Sequence, residues 1–511
     1  MKLEKIVEKF LERGVQVNED MVIYLATQSN TEELVDKILR KIDALSEKPL
    51  LVTEEMIPFL LNGEEIEINW NDFVEWKYKA EVGETTETFK RFLERYKKLR
   101  RIEVAGKRNT VDFKILKNYD KSKGRGKVED FLSYFLDRYN KIKNLIGKRL
   151  FRVVSINRLN NKFDEEISVI GIVTEKREGN QSYILEVEDP TGLVRVIIPK
   201  DNPQLSRFYE EIVHDEIIGI TGIAKGKIIY ANNIIFPDVS ITKEKRKLNV
   251  NEDVYAIFTS DIHVGSSKFL KSKFEAFIEW LNSDKEIPSK VEYIFIAGDL
   301  VDGIGVYPNQ EEELEITDIY EQYTALAEYL RRIPEDIKIF IIPGNHDAVR
   351  LAQPQPPVPK DIAGALYDLD NVVMLSNPAY IRLESSNTFI NVLMYHGVSF
   401  DAMIEKINKL SYENPGEVMV TLLKKRHLSP IHGLDILPQD YDCLVIDEDI
   451  DIIHTGHVHI NGLLEYKNIL LINSGAWQAQ TDYQKLIGHV PTPGQVPVVN
   501  LRTREAKIVK F

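Results

Sequence analysis

The stretch Val-Tyr-Ala-Ile-Phe-Thr-Ser-Asp-Ile-His, residues 254–263, runs from an apolar strand into an aspartate and a histidine two positions apart. Four later segments also place carboxylate, amide or histidine side chains just after an apolar run. They are Gly298-Asp299, Gly344-Asn345-His346-Asp347, Tyr395-His396-Gly397 and Gly456-His457-Val458-His459. One Asp-x-His arises often by chance, but five such segments in order are difficult to explain as packing. Because ligands gather at the carboxyl ends of strands in α/β folds, the pattern predicts one site built from all five segments.

The same part of the chain alternates between strand-like and helix-like spacing. Apolar runs predict strands over residues 254–259, 293–297, 337–342, 390–394 and 450–453. Helical spacing predicts helices over residues 269–281 and 316–332. Every candidate ligand therefore lies at or just past the end of a strand, and residues 249–511 are expected to form one domain.

The composition is that of an ordinary globular chain, 43% hydrophobic and 29% charged, whose 511 residues are too many for one core. A net charge of −14 excludes a basic nucleic-acid coat over the whole chain but not a local patch. Cys443 is the only cysteine, which excludes internal disulfides and cysteine-rich zinc sites and favours a reducing cytoplasm. No apolar run reaches the roughly 18 residues that cross a bilayer, so we expect no membrane partner.

Three regions precede the domain with the five segments. Residues 1–48 show helical spacing and predict a small helical module. Residues 49–127 are predicted to be a charged, partly flexible linker, whose basic run is either a solvated tether or an arm that follows phosphates. Residues 128–248 predict a leading helix and a barrel, so the whole chain is expected to be an α/β (α+β) multidomain protein.

The barrel prediction rests on five short β-rich runs separated by turns, a pattern that suits a small closed barrel of the OB type. The runs cover residues 167–174, 183–187, 193–198, 217–223 and 227–235. Such barrels often bind single strands, but this one has few aromatic residues to stack on bases, namely Tyr183, Tyr230 and Phe236. A structural or partner-docking barrel is at least as well supported.

The residue types in the five segments suit divalent metals beside a phosphate. Carboxylates and imidazoles together favour manganese, iron or zinc over calcium. Asp261 and His263 can turn to one ion, and Asp299 is placed to bridge two ions. Asn345 adds a neutral oxygen, which leaves positive charge for an anionic substrate. Two ions about 4 Å apart can activate water and stabilise charge on phosphorus.

Three histidines complete the predicted chemistry. His457 and His459 straddle Val458, so in an extended loop their rings are expected to point the same way. A proton donor must then protonate the leaving oxygen, and His346 is the candidate.

Together the five segments resemble the motifs of calcineurin-like metallophosphoesterases. The resemblance implies a four-layer β-sandwich flanked by helices, in which two metal sites share one aspartate. The first site is implied to consist of Asp261, His263, Asp299 and His459. The second is implied to consist of Asp299, Asn345, His396 and His457. The resemblance also makes His346 the proton donor.

Flanking residues carry a closer resemblance. The stretches are Ser-Asp-Ile-His-Val-Gly-Ser (260–266), Gly-Asp-Leu-Val-Asp-Gly-Ile-Gly-Val-Tyr-Pro (298–308) and Asn-Ser-Gly-Ala-Trp-Gln-Ala-Gln-Thr (473–481). They are similar to the small-subunit family of archaeal family-D DNA polymerases. The order of helical module, linker, OB barrel and phosphoesterase domain is also that of the family.

That resemblance implies a proofreading 3′–5′ exonuclease with two divalent ions, manganese ahead of magnesium, iron or zinc. Its implied partners are DNA 3′ ends, single-stranded or mispaired, a large polymerase subunit and the sliding clamp, in a cytoplasmic, nucleoid-associated setting. Because every ligand position holds a competent residue, an active nuclease is favoured over two alternatives. These are a non-catalytic assembly subunit and a free-standing metallophosphatase or phosphodiesterase.

Six further residues are expected near the site. Asp302, Asp347 and His454 are expected to support the metal ligands from behind, with Asp302 holding the backbone of its own loop. Possible contacts with a DNA strand are Lys268, Arg350 and Gln478.

Overall fold

The computed structural model describes residues 3–11, 13, 15–17, 19–26, 30–43, 51–52, 111–119, 127–160, 166–241, 243–433, 436–437, 439–486 and 488–511. Two compact units divide the chain, residues 1–104 and 105–511, and each is described by itself. Among the described helices, none has the length and apolar character needed to cross a bilayer.

The first unit contains the predicted helical module. Its helices are α1 (Leu3–Leu11), α2 (Glu19–Ala26) and α3 (Thr31–Asp43). Two short strands, β1 (Gln16–Val17) and β2 (Leu51–Val52), pair in parallel. Apolar side chains from all three helices form its core, among them Phe10, Leu25 and Ile38. The helical spacing read from the sequence therefore marks the buried face of each helix.

The second unit begins with β3 (Asp112–Asn118) and α4 (Val128–Ile146), followed by a closed five-stranded barrel. The barrel strands are β4 (Glu166–Glu178), β5 (Ser182–Asp189), β6 (Gly192–Pro199), β7 (Ile217–Lys225) and β8 (Ile228–Ile235). Helix α5 (Pro203–Glu211) occupies the predicted interruption between the third and fourth strands. Closure in the order β4-β5-β6-β8-β7 confirms the OB-type barrel.

The rest of the chain forms two six-stranded sheets. Their strands are β9 (Tyr255–Thr259), β10 (Val291–Ala297), β11 (Lys338–Ile342), β12 (Val372–Met374), β13 (Ala379–Ser385), β14 (Thr388–Met394), β15 (Ile452–Thr455), β16 (Gly462–Tyr466), β17 (Ile469–Asn473), β18 (Gln495–Asn500) and β19 (Ala506–Lys510), together with β3. The first sheet has the order β12-β11-β10-β9-β18-β19, and the second has the order β16-β17-β15-β14-β13-β3. The helices are α6 (Lys271–Leu281), α7 (Ile319–Arg331), α8 (Gly364–Tyr367), α9 (Ser399–Lys406), α10 (Pro415–Lys425) and α11 (Asp482–Leu486). Short 3₁₀ turns of the second unit span Gly147–Arg149, Ile156–Asn160, Pro288–Lys290 and Gln310–Glu313.

Three cores show that the two sheets and their helices make four layers. Phe258 and Phe295 point into the core between the sheets, together with Met394 of the opposite sheet. Ile257, the residue before Phe258 in β9, points outward into the core covered by α6 and α7. A third core lies under α9 and α10. Successive residues of these strands are thus buried on opposite faces, and the four-layer sandwich is confirmed.

Part of the predicted linker belongs to this sandwich. Strand β3 pairs with β13 in antiparallel fashion at the edge of the second sheet, from Asp112 opposite Glu384 to Asn118 opposite Ala379. The linker prediction is therefore wrong for residues 111–119, where lysines between the apolar positions gave the strand the appearance of a solvated segment. Of the basic run, residues 97–110 and 120–126 lie outside the described residues.

Buried ion pairs fix the barrel against the two-sheet sandwich. Lys425, the last residue of α10, contacts Glu216 of the barrel at 2.7 Å, and both side chains are buried. Arg138 of α4 contacts Asp442 at 2.7 Å and donates to the carbonyl of Pro430 at 2.7 Å. Each buried charge meets an opposite charge, as burial in low dielectric requires.

Candidate metal centre

All the candidate ligands lie on loops that leave the carboxyl ends of five central strands. Asp261 and His263 follow β9, Asp299 follows β10 and Asn345 follows β11 in the first sheet. In the second sheet, His396 follows β14, and His457 and His459 follow β15. Parallel pairing of β10 with both β9 and β11, and of β14 with β15, brings these ends together.

Five of these side chains leave a left-handed backbone. The φ angles are 51° at Asp261, 55° at His263, 49° at Asp299, 71° at His457 and 55° at His459. Non-glycine residues rarely adopt this region, although aspartate and histidine are enriched among those that do. The expectation of an extended loop at His457 and His459 is therefore wrong: the left-handed turns send the two rings to different groups of ligands.

The first ligand group consists of Asp261, His263, Asp299 and His459, which offer atoms that all lie within 4.8 Å of one another. The Nε2 atoms of His263 and His459 are 3.1 Å apart. Nε2 of His459 is 3.5 Å from Oδ1 of Asp261, and Nε2 of His263 is 3.8 Å from Oδ2 of Asp299. All four residues are buried.

The second ligand group shares Asp299 and adds Asn345, His396 and His457. Nε2 of His396 lies 3.3 Å from Oδ2 of Asp299 and 3.0 Å from Oδ1 of Asn345. Nδ1 of His457 lies 3.1 Å from the same amide oxygen. The structure thus brings together all seven predicted ligands, in two groups joined by Asp299.

The hydrogen bonds behind these rings indicate that the groups fit cations. Nδ1 of His396 lies 2.8 Å from the carbonyl of Ala297, which can only accept, so the proton is on Nδ1 and Nε2 presents a lone pair. Nε2 of His457 faces the carboxylate of Asp401 at 3.0 Å, which leaves its Nδ1 lone pair toward Asn345. Acceptor atoms therefore face acceptor atoms across short gaps, and a divalent cation satisfies them all.

Asp302 contacts His263, a candidate ligand, on the side away from the first ligand group. Its Oδ1 accepts from Nδ1 of His263 at 3.0 Å and from the amide of Gln478 at 2.9 Å, and its Oδ2 accepts from the amide of Gln310 at 3.0 Å. Such carboxylate contacts fix the orientation of a ligating imidazole. The carboxylate thus contacts three side chains, and its role in holding the backbone of its own loop stays a prediction.

A buried chain of hydrogen bonds ends on Asp261. Nε2 of His454 is 3.0 Å from Oγ of Ser474, which is 2.6 Å from Oγ of Ser260, and that hydroxyl donates to the Asp261 carboxylate. Burial lowers the pKa of His454 to about 3, so the ring stays neutral. His454 is thus connected to the first ligand group through two serines.

Asp347 organises the loop that carries Asn345. Its carboxylate accepts from the backbone N–H groups of Gly344 at 2.8 Å and Leu300 at 3.3 Å and from the hydroxyl of Tyr323 at 2.9 Å. Burial, together with the charge of Asp299, raises the pKa of Asp347 to about 7. Asp347 therefore links the loop that follows β10 to the loop that follows β11.

Electrostatics favour an ionised carboxylate at the shared position. Burial alone would raise the pKa of Asp299, but the neighbouring His396 and His346 outweigh burial and hold it well below its usual range. Burial would lower the pKa of His396, but the charge of Asp299 reverses this and raises it to about 9. Without a cation the ring therefore also holds a proton on Nε2, and a metal ion that uses the Nε2 lone pair would displace that proton. Burial raises the pKa of Asp261 to about 6. The two groups thus have the strongest anion at their common residue.

Glycines beside the ligands leave room for them. A Cβ at Gly344 would overlap the carboxylate of Asp299 and approach within 2.7 Å of His396. A Cβ at Gly456 would come within 2.5 Å of Oδ2 of Asp261. Glycine at these two positions is required by close approach of the backbone to the ligands.

The candidates for DNA contact have different surroundings. Gln478 is only 3% exposed and its amide is bonded to Ser266 and Asp302, so it is built into the support of the site rather than onto its surface. Arg350 donates to the backbone carbonyl of Pro354, and this hydrogen bond holds the loop that carries Arg350. Lys268 is partly exposed, and its contact with DNA stays a prediction.

Sequence reasoning missed several residues that contact the ligands, among them Asp401 and Gln484. Asp401 of α9 contacts His457 and also accepts from the hydroxyl of Tyr412 at 2.9 Å. Gln484 of α11 lies 3.0 Å from Nδ1 of His459. Asp401 comes five residues after His396 in a segment of helical character, and nothing in the local sequence distinguishes it from an ordinary helix carboxylate.

Comparisons with known proteins agree with this geometry. The calcineurin-like phosphoesterase family matches residues 256–461. A DNA polymerase II small subunit from Methanothermobacter thermautotrophicus is 36% identical over 98% of this chain and 98% of its own length. One from Pyrococcus furiosus is 42% identical over 77% of this chain, and the match spans 65% of that protein. The match to the solved structure of an archaeal phosphodiesterase covers 50% of this chain at 13% identity, with a TM-score of 0.27.

Proposed function

This chain belongs to the small-subunit family of family-D DNA polymerases and contains a calcineurin-like phosphoesterase domain, and we propose that it is the 3′–5′ proofreading exonuclease of such a polymerase. Its substrates are DNA 3′ ends, single-stranded or mispaired. It acts in a complex with the large catalytic subunit, with the sliding clamp as a further partner.

The observation that carries the proposal is the pair of ligand groups joined by Asp299. Seven competent ligands converge, and none is replaced by a residue without a donor atom. A subunit kept only for assembly would have no need of this convergence. We assign two divalent ions to the groups, manganese ahead of magnesium, iron or zinc, because the ligands combine carboxylate, amide and imidazole. When bound, such ions activate water and neutralise charge on the phosphodiester.

His346 has the position of a proton donor. Its Nδ1 lies 2.7 Å from the backbone carbonyl of Asp302, which can only accept, so Nδ1 carries the fixed proton and Nε2 takes up the mobile one. Its backbone N–H donates to Oδ1 of Asp299 at 2.9 Å, which places the ring beside the shared carboxylate. Burial lowers the pKa of His346, and an anionic phosphodiester beside the ring would raise it again. Substrate binding therefore charges the ring that protonates the departing 3′ oxygen.

The decisive experiment follows shortening of 5′-labelled single-stranded DNA with manganese in the complex with the large subunit, without nucleotides. Wild type should shorten the strand stepwise from its 3′ end. His346→Ala should slow it by roughly 10²- to 10⁴-fold, the usual contribution of a positioned proton donor. The matched control is His214→Ala, a histidine on the exposed surface of the barrel.

Each alternative function gives a different result. Hydrolysis of a phosphomonoester or cyclic nucleotide without strand shortening would assign a metallophosphatase or phosphodiesterase. Absence of all hydrolysis with every metal tested would assign an assembly subunit. Strand shortening that His346→Ala leaves intact would remove His346 from the reaction.

A further inference from the structure

A second candidate site lies away from the metal centre, where the barrel meets the phosphoesterase sandwich. A cavity of about 510 Å³ opens between the end of α4, the segment after β8 and the segment after α10. Its volume falls in the range of small-ligand sites, roughly 300–1,000 Å³. None of the residues that line it belongs to either ligand group.

A buried arginine with few hydrogen-bond partners lines the cavity. Arg426 is 8% exposed, directly follows α10 and has a left-handed backbone with φ of 52°. Within the described part of the chain, its Nε has no hydrogen-bond partner, and its guanidinium makes one long bond, 3.4 Å to the carbonyl of Glu448. A buried guanidinium ordinarily meets a carboxylate or several acceptors.

Arg149 faces the same cavity from the barrel side. Its guanidinium donates to the backbone carbonyl of Asp238 at 2.5 Å and, among the described residues, has no carboxylate within ion-pair distance. Burial lowers the pKa of Arg426, the neighbouring Tyr380, Asp447 and Asp449 oppose this, and the charge of Arg149 adds a smaller lowering. The two guanidinium groups line the same cavity.

Most carboxylates of the wall have lysines, not these arginines, as their direct ion-pair partners. Asp447 contacts Lys117 at 2.7 Å, Asp449 contacts Lys243 at 2.6 Å, and Asp238 contacts Lys467 at 2.7 Å. The fourth carboxylate of the wall, Glu244, is exposed to solvent. The lining carries four cationic side chains, Arg149, Lys243, Arg246 and Arg426, and four carboxylates, so its charges balance. The hydrogen-bonding capacity of Arg149 and Arg426 stays largely unused, and an anion with several acceptor oxygens would complete it.

We propose that this cavity binds a phosphate group, of a nucleotide or of a DNA strand, through the guanidinium groups of Arg149 and Arg426. Arginine forks match the oxygen geometry of phosphate, and withdrawal from water at the buried Arg426 strengthens its charged hydrogen bonds. Placement between barrel and sandwich means that an occupied site contacts both domains at once.

Calorimetric titration of the full chain tests the proposal. EDTA removes metal-dependent binding at the metal centre, and the three ligands are inorganic phosphate, thymidine monophosphate and a short single-stranded oligonucleotide. At least one should bind in a single saturable step. Arg149→Gln and Arg426→Gln should each weaken that binding by roughly tenfold, as loss of a charged hydrogen bond does. The control Lys148→Gln removes an exposed charge next to Arg149 but outside the cavity wall and should bind as wild type does.

Comparison of the three ligands also identifies the source of the phosphate. Binding of thymidine monophosphate indicates a nucleotide, whereas binding of the oligonucleotide alone indicates a strand. Should Arg426→Gln fail to fold, the exposed Arg149 decides the question alone. Absence of binding by all three ligands, or equal binding by wild type and Arg149→Gln, overturns the proposal. Weakened assembly of Arg149→Gln with the large subunit, without phosphate binding, would assign the cavity to an acidic segment of the partner and overturn it as well.

Discussion

Replacing Asp302 by asparagine tests how strongly the support behind His263 controls the first ligand group. The carboxylate accepts three hydrogen bonds, from His263, Gln478 and Gln310, at 2.9–3.0 Å. An asparagine of the same shape keeps one oxygen for His263 and Gln478. It places an amide N–H₂ against the amide donor of Gln310, so that contact becomes repulsive.

The expected loss follows from these contacts. Hydrogen bonds to a charged acceptor contribute about 1.5–3 kcal/mol and neutral ones about 0.5–1.5 kcal/mol, so the bond to His263 weakens by about 1 kcal/mol. The repulsive contact with Gln310 shifts the side chain that orients the imidazole. Substitution of a residue that supports a metal ligand commonly costs 10- to 100-fold in affinity, or about 1.4–2.7 kcal/mol.

Manganese titration followed by electron paramagnetic resonance measures the change. Asp302→Asn should weaken one of two binding steps by roughly 10- to 100-fold and the other by less than about threefold. The control Asp370→Asn makes the same chemical change at an exposed position far along the sequence. Unchanged affinity at both steps, equal weakening of both, or the same effect from Asp370→Asn would refute the assignment of Asp302 to the first ligand group.

Three further perturbations have expected outcomes. Ser474→Ala breaks the hydrogen-bond chain behind Asp261 and should weaken manganese binding by roughly tenfold in the same titration; wild-type affinity would show that the chain does not position Asp261. Burial, together with the charge of a neighbouring arginine, lowers the pKa of His427 in the folded protein to about 4. In the unfolded chain the ring has its ordinary pKa of about 6.5, so on acidification the unfolded chain takes up this proton before the folded protein does. The free energy of unfolding should therefore fall by up to about 3 kcal/mol from pH 6.5 to about pH 4, a slope that His427→Gln should reduce in urea denaturation. Lys425→Met leaves Glu216 buried without its cation and should destabilise the protein by about 3–5 kcal/mol, whereas adding Glu216→Leu should recover most of the loss.

The central strands could be predicted from the sequence because they are buried on both faces. The run predicted over residues 254–259 is β9 (Tyr255–Thr259), and that predicted over 337–342 is β11 (Lys338–Ile342). Continuous apolar runs of this kind are typical of parallel strands covered by other layers. Their polar ends fall where the ligands converge, so the approximate site could be inferred from the same runs.

Edge strands were not predicted because many of their residues face solvent and they have few neighbouring strands. Strand β3 pairs with β13, more than 250 residues later, and its exposed lysines resemble those of a linker. Strand β19 (Ala506–Lys510) pairs only with β18 and is likewise half exposed. Local spacing indicates burial, and a strand with one solvated face and one neighbour gives a weak signal.

The backbone conformation of the ligands could not be read from local sequence either. A left-handed turn is ordinarily indicated by glycine or asparagine, whereas this site uses it at aspartates and histidines. The cause is tertiary: Asp261 donates its N–H to the carbonyl of Gly298 at 2.9 Å, and His457 donates its N–H to the Asp261 carboxylate at 3.1 Å. Contacts between loops of different strands, not local preference, select these angles.

The same contacts explain how ligands of like charge can be assembled before any ion binds. Each left-handed non-glycine residue costs roughly 1–2 kcal/mol, and acceptor atoms turned toward each other add repulsion. Folding of the two sheets supplies the opposing free energy, since the loops are bonded to one another: Ile262 donates to the carbonyl of Asp299 at 2.8 Å and Gly456 to that of His396 at 2.8 Å. An arriving cation then finds its ligands already oriented and relieves their repulsion, which increases its affinity. Metal binding should therefore stabilise the folded sandwich, and substitutions that loosen the strand ends should weaken metal binding even where they touch no ligand.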